Sequence, residues 1–210
     1  MELMDIINML TRWGHLLFGM TWIGLLYYFN FIQGGYFKSA TPEGLADGKA
    51  KLAPAALWWF RWGAMFTFLT GVILLVGVQK MNVMNEYIVV GAAMGTLMFL
   101  NVWLIIWPNQ KIALGMVEGD APAAGAKALL ASRTNTLFSA PMAFCMMAGP
   151  HFAGYGMGTG STAMWISLGI VAVLEINAIM GKQGPMTTVR GVITSSIVLT
   201  AVIVGILTQM

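Results

Sequence analysis

The chain has 210 residues, 58% of them hydrophobic and 9% charged, with a formal net charge of +3. Water-soluble domains carry roughly 25% charged residues, so this chain cannot cover itself with a water-facing surface, and lipid must solvate most of its outside. The basic residues sit in short loops between apolar runs, where they set topology rather than grip a polyanion; nucleic acid is excluded as a partner.

A helix needs about 20 mainly apolar residues to cross a bilayer. Six stretches qualify in chain order: 10–31, 57–78, 87–107, 135–152, 163–180 and 189–207. The fourth is the weakest, because Pro141 and Pro150 interrupt it and proline kinks even a packed membrane helix. Aromatic clusters, Trp13, Tyr27, Tyr28 and Tyr36 and then Trp58, Trp59 and Trp62, mark headgroup levels. The expected fold is all-α: a polytopic integral membrane helix bundle of about six transmembrane helices, one domain over residues 1–210. Met1-Glu2-Leu3-Met4-Asp5 lacks a basic start and no small-residue cleavage site follows, so no cleavable leader is expected.

With the N-terminus outside, the inner loops hold Lys38, Lys49, Lys51, Lys111, Lys127, Arg133, Lys182 and Arg190, while Arg12 and Lys80 face outward. That asymmetry places both termini outside, in a multi-pass protein of the bacterial inner membrane. Residues 41–57 read as a short amphipathic helix with Pro42 in its first turn. Pro108 should stop the third helix after Trp107. The alanine-rich 121–132 segment suits the interface, and Ser132 or Thr134 is placed to cap the fourth helix. The glycine-rich 154–160 stretch reads as a flexible outer loop. Methionine is abundant at 18 residues and scattered, as adaptable packing would be.

Ionisable groups inside a bilayer are costly, so each is a functional candidate. His15 and His151 are the two histidines, and the six-span topology sets them at one depth on different helices. Neutral imidazoles are the usual axial ligands of haem b, so the pair could clamp a haem iron; equally, each could only bond a neighbouring helix or the interface. Glu175 lies within the fifth span, where a lone carboxylate costs roughly 2.5–3.5 kcal/mol. It is either a proton carrier or half of an ion pair with Arg61, Arg133 or Arg190. Arg133 and Asn135 offer fixed donors for a small planar anion or a quinone carbonyl, or simply anchor the interface. The lone Cys145 rules out an intrachain disulfide, and no CxxCH, HExxH, GxSxG or phosphate-loop motif is present.

Three runs, in order, carry a resemblance. Trp13-Gly14-His15 with Trp22-Ile23-Gly24 and Tyr27-Tyr28-Phe29-Asn30 is similar to the first helix of the membrane-bound urate oxidase (urate hydroxylase) N-terminal domain family. Trp107-Pro108-Asn109-Gln110-Lys111, and Ser132-Arg133-Thr134-Asn135-Thr136 through Pro141-Met142, resemble the same family. The resemblance implies oxidation of urate to 5-hydroxyisourate, with electrons passed to the respiratory chain through a C-terminal cytochrome c domain. This sequence ends at Met210 without CxxCH. A separate cytochrome c is therefore expected, or a different activity.

The expected function is an inner-membrane redox protein. It would hold haem b between His15 and His151 and pass electrons between a small substrate (urate) or quinone and a respiratory partner. Arg133, Asn135 and Glu175 are its candidate catalytic residues. A non-catalytic accessory subunit of a respiratory or photosynthetic complex is the alternative. A transporter fits less well, since intramembrane charges are few and no inverted repeat is visible.

Overall fold

The computed structural model describes residues 3–152 and 158–209. Among them, six long helices run up and down and no strand forms. They are α1 (Leu3–Ser39), α2 (Pro42–Lys80), α3 (Glu86–Ala113), α4 (Ala121–His151), α5 (Thr162–Met180) and α6 (Val189–Gln209). All but α4 are long and apolar enough to cross a membrane. The exterior carries Leu3, Leu16, Met20, Ile73, Val173 and Ile197, each more than half exposed. A surface of that kind needs a hydrocarbon solvent; this is a multi-pass membrane protein.

Several boundaries differ from the sequence reading. Thr41 caps the 42–47 turn by accepting the Gly44 N–H at 3.2 Å, and Pro42 occupies the first turn, as expected. The segment does not stop there: it passes through a π-helical stretch, Gly48–Leu52, into the rest of α2. Pro108 does not end α3. It falls in the first turn after a π-helical stretch, Asn101–Ile106, where a missing N–H is tolerated. Residues 121–132 are not a separate segment but form the first three turns of α4. Asp120, not Ser132 or Thr134, caps that helix by accepting the Ala123 N–H at 3.0 Å. Residues 154–157 of the glycine-rich outer stretch lie outside the described residues.

α4 is the hub. Residues 131–139 are all buried, and Thr134 and Asn135 are wholly so. Its polar run Ser132-Arg133-Thr134-Asn135-Thr136 therefore meets other helices on every side instead of lipid. α1 and α2 pair antiparallel: a Cβ on Gly63 would come within 3.2 Å of the Trp22 backbone nitrogen. α2 joins α3 through a stacked pair, Phe68 on Phe99, with ring centres 4.2 Å apart. α3 crosses α4 equally closely, Gly91 lying against Cys145 and the Met142 carbonyl. Lys38, Lys49, Lys51, Lys111, Lys127, Lys182 and Arg190 all fall at one end of the bundle, the basic end.

At the opposite end, polar caps tie the helices together. Asn85 starts α3 by accepting the Ile88 N–H at 3.2 Å and donates to the Gly149 carbonyl of α4 at 2.9 Å. Glu86 accepts both the N–H and the hydroxyl of Ser161, which caps α5. A buried carboxylate is thus held by two donors.

Candidate functional site: a buried amide–carboxylate network

Two helices widen into π turns beside α4: α1 over Tyr28–Gln33 and α3 over Asn101–Ile106. Such turns loosen the regular backbone ladder and recur at functional sites. Here each carries a buried asparagine, Asn30 and Asn101, aimed at the polar run of α4.

On the α3 side, Asn101 Nδ2 donates to Asn135 Oδ1 at 2.9 Å and to Glu175 Oε2 at 3.1 Å. Asn135 Nδ2 donates in turn to the Met98 carbonyl, at 2.9 Å, one turn before the π stretch. The result joins α3, α4 and α5 through three side chains, all at least nine-tenths buried. Glu175 has no basic partner among the described residues, whose one salt bridge is Lys51–Asp47. The ion pair with Arg61, Arg133 or Arg190 is thus not formed, and the carboxylate is held by an amide. Its second oxygen accepts no hydrogen bond among the described residues.

On the α1 side, Asn30 Nδ2 donates to the Leu26 carbonyl at 2.9 Å and to Ser132 Oγ at 2.8 Å. Ser139 Oγ donates to the Thr136 carbonyl at 2.7 Å. A hydroxyl has one hydrogen, so the Tyr27 hydroxyl is the donor in its 2.9 Å bond with Ser139. Asn30 Oδ1 and Gln33 Oε1, on the same π stretch, are buried without a partner among the described residues. Leaving such atoms bare costs about 1–3 kcal/mol each, which water or a polar ligand would recover.

Of the expected catalytic residues, the structure brings Asn135 and Glu175 together through Asn101, which the sequence reading passed over. Arg133 is not part of that group. It leaves α4 on another side, where Nη1 reaches the Thr188 carbonyl at 3.5 Å while Nε has no partner among the described residues. Asn30 and Ser139 carry no site role in the sequence analysis either, and Ser132, expected there as a helix cap, instead accepts from Asn30. Their signal was present: amides and hydroxyls at helical spacing inside apolar spans.

The histidine pair does not fit one haem. His15 Nδ1 bonds Thr70 Oγ1 at 3.0 Å, so its ring faces α2, packed where a Cβ on Gly71 would lie 3.1 Å away. Gly71 is about 14 Å in from the Lys80 end of α2 at ~1.5 Å per residue. His151 is exposed at the end of α4, bonded to the Met147 carbonyl of its own helix at 2.8 Å. The equal depth assumed α1 to begin near residue 10, whereas it begins by Leu3. Two axial ligands must face one iron from opposite sides; His15 turns to α2 within the bundle, whereas His151 is exposed at the end of α4 and bonded to its own helix. Apart from haem, no group of three His, Cys, Asp or Glu that could hold a metal ion occurs among the described residues.

Residues 78–208, more than half of the chain, match the family described as urate oxidase N-terminal. The chain belongs to that family. The matched residues contain Asn101, Asn135 and Glu175 together with the Trp107–Lys111 run, whereas Asn30, His15 and the rest of α1 precede them. The urate oxidase N-terminal assignment therefore covers the α3–α5 network but not its α1 flank. No curated protein and no solved structure matches the chain.

Proposed function

We propose that this chain is a urate-related membrane redox protein in which Glu175, positioned by Asn101 and Asn135, accepts the proton released on substrate oxidation. The observation that carries the reading is a buried carboxylate held by an amide at a π turn, inside the residues that match the urate oxidase N-terminal family. Converting urate and water to 5-hydroxyisourate releases two electrons and two protons. In a dry interior a proton needs a built acceptor, and Glu175 has one oxygen fixed by Asn101 and one left open. A neighbouring amide positions the carboxylate without pairing its charge as an arginine would.

In this reading all six helices span the bacterial inner membrane with both termini outside. The basic end faces the cytoplasm, in keeping with its lysines. The electrons go to a membrane quinone or to cytochrome c. Neither acceptor is routed through a haem between His15 and His151.

The test is urate-dependent reduction of a quinone analogue or of cytochrome c by purified protein in proteoliposomes. Wild type should support it, and Glu175→Gln should lower the rate by about 10²-fold or more while leaving thermal stability within about 1 kcal/mol. Equal rates in the two proteins would remove Glu175 from the chemistry. No urate-dependent rate in the folded wild type with either acceptor would remove urate.

A further inference from the structure

We propose that Arg61, Trp107 and Lys111 form a binding site for the phosphate headgroup of an anionic phospholipid at the basic end of the bundle. The Arg61 guanidinium lies over the Trp107 ring, 3.9 Å from its centre, and the Lys111 ammonium is 5.6 Å from the same centre. Two cations thus converge on one ring. Neither makes a hydrogen bond or an ion pair among the described residues, where the one salt bridge is Lys51–Asp47. The ring attracts each cation by its face, but it satisfies none of the five N–H groups of the arginine or the three of the lysine. Those donors need oxygen acceptors, and a doubly gripped phosphate supplies them while relieving the repulsion between the two charges.

The surroundings select a lipid phosphate. Trp58, about one turn back along α2, is 46% exposed, and Leu104, about one turn before Trp107 on α3, is 68% exposed. The site is therefore bordered by apolar surface on which acyl chains lie, with indoles at headgroup depth. Basic residues at that level attract anionic lipids. Trp107, Pro108, Asn109, Gln110 and Lys111 lie in one short run, so the ring and the lysine are held on the same turn of α3.

The experiment is native mass spectrometry of the full chain, titrated with phosphatidylglycerol and, separately, with phosphatidylcholine of the same acyl chains. Wild type should bind phosphatidylglycerol the more tightly. Lys111→Gln should weaken that binding about fivefold and Arg61→Gln/Lys111→Gln about twentyfold, with Lys38→Gln, on a different loop, as the unaffected comparison. Should the double variant fail to fold, the single Lys111→Gln variant and the wild-type comparison of the two lipids decide the matter. Equal affinity for the two lipids, or equal loss in Lys38→Gln, would overturn the proposal. Inorganic phosphate that displaces phosphatidylglycerol at equal concentration would also overturn it, in favour of a free-anion site.

Discussion

Asn101 Nδ2 holds Glu175 Oε2 at 3.1 Å and Asn135 Oδ1 at 2.9 Å, spending both of its hydrogens on two different helices. One side chain thus fixes the spacing of α3, α4 and α5 at the level of the carboxylate. That relationship makes the network testable in parts.

Asn101→Ala leaves Asn135 Oδ1 and Glu175 Oε2 buried without a donor. Each orphaned group costs about 1–3 kcal/mol, so the variant should unfold measurably earlier in a detergent thermal melt. Asn101→Asp, which replaces the donor with a second acid facing Glu175, should be worse. An Asn101→Ala melt within error of wild type would mean that water substitutes freely for the amide.

Asn135→Leu tests the tie to the π turn. It removes the donor from the Met98 carbonyl and the acceptor from Asn101. Expected is a loss of about 2–4 kcal/mol and faster amide exchange over residues 101–106 than over 86–97, read by hydrogen exchange. Uniform exchange along α3 would show that the π turn does not depend on Asn135.

Close helix crossings give a second class of prediction. Gly91→Ala would set a Cβ 3.1 Å from the Cys145 Cβ and 3.4 Å from backbone atoms of Met142 and Met146. Backbone cannot step aside cheaply, so overpacking of about 1–3 kcal/mol is expected. Gly24→Ala, with nothing within 4 Å of the added Cβ, should be neutral or slightly stabilising. A melt that ranks the two the other way would put the α3–α4 crossing in doubt.

The haem expectation has its own readout. His15 turns to Thr70 of α2 while His151 is exposed and bonded within α4, so a reduced-minus-oxidised optical spectrum should lack a bis-histidine b-type signal. A b-type signal in wild type that disappears in both His15→Ala and His151→Ala would contradict this arrangement of α1 and α4.

Cys145 is fully buried where α4 meets α3. A maleimide should label it only after unfolding, at a rate that follows the global opening of the bundle. Prompt labelling of folded protein would mean that this crossing opens locally.

Much of this protein was legible in the order of its residues. Low charge and six apolar runs are enough to state an all-helical membrane bundle, because a bilayer leaves few ways to satisfy a backbone. Intramembrane cost singled out Glu175, with His15 and His151, before any contact was known, and Asn135 stood out with Arg133 as a fixed donor at the start of the fourth span. The resemblance in the Trp107–Lys111 and Ser132–Met142 runs pointed to the family that the matched residues then bore out. Helix partners and rotations were not legible. Hydropathy gives the depth of a residue along one axis, and only roughly when a helix begins earlier than its apolar run, as α1 does. It says nothing of which neighbour a side chain faces. So the tertiary structure alone decided that the most polar helix lies at the centre, that His15 turns to Thr70 and away from His151, and that Asn101 brings Asn135 and Glu175 together. Polar groups in lipid must find partners within the protein, and only packing determines which ones they find.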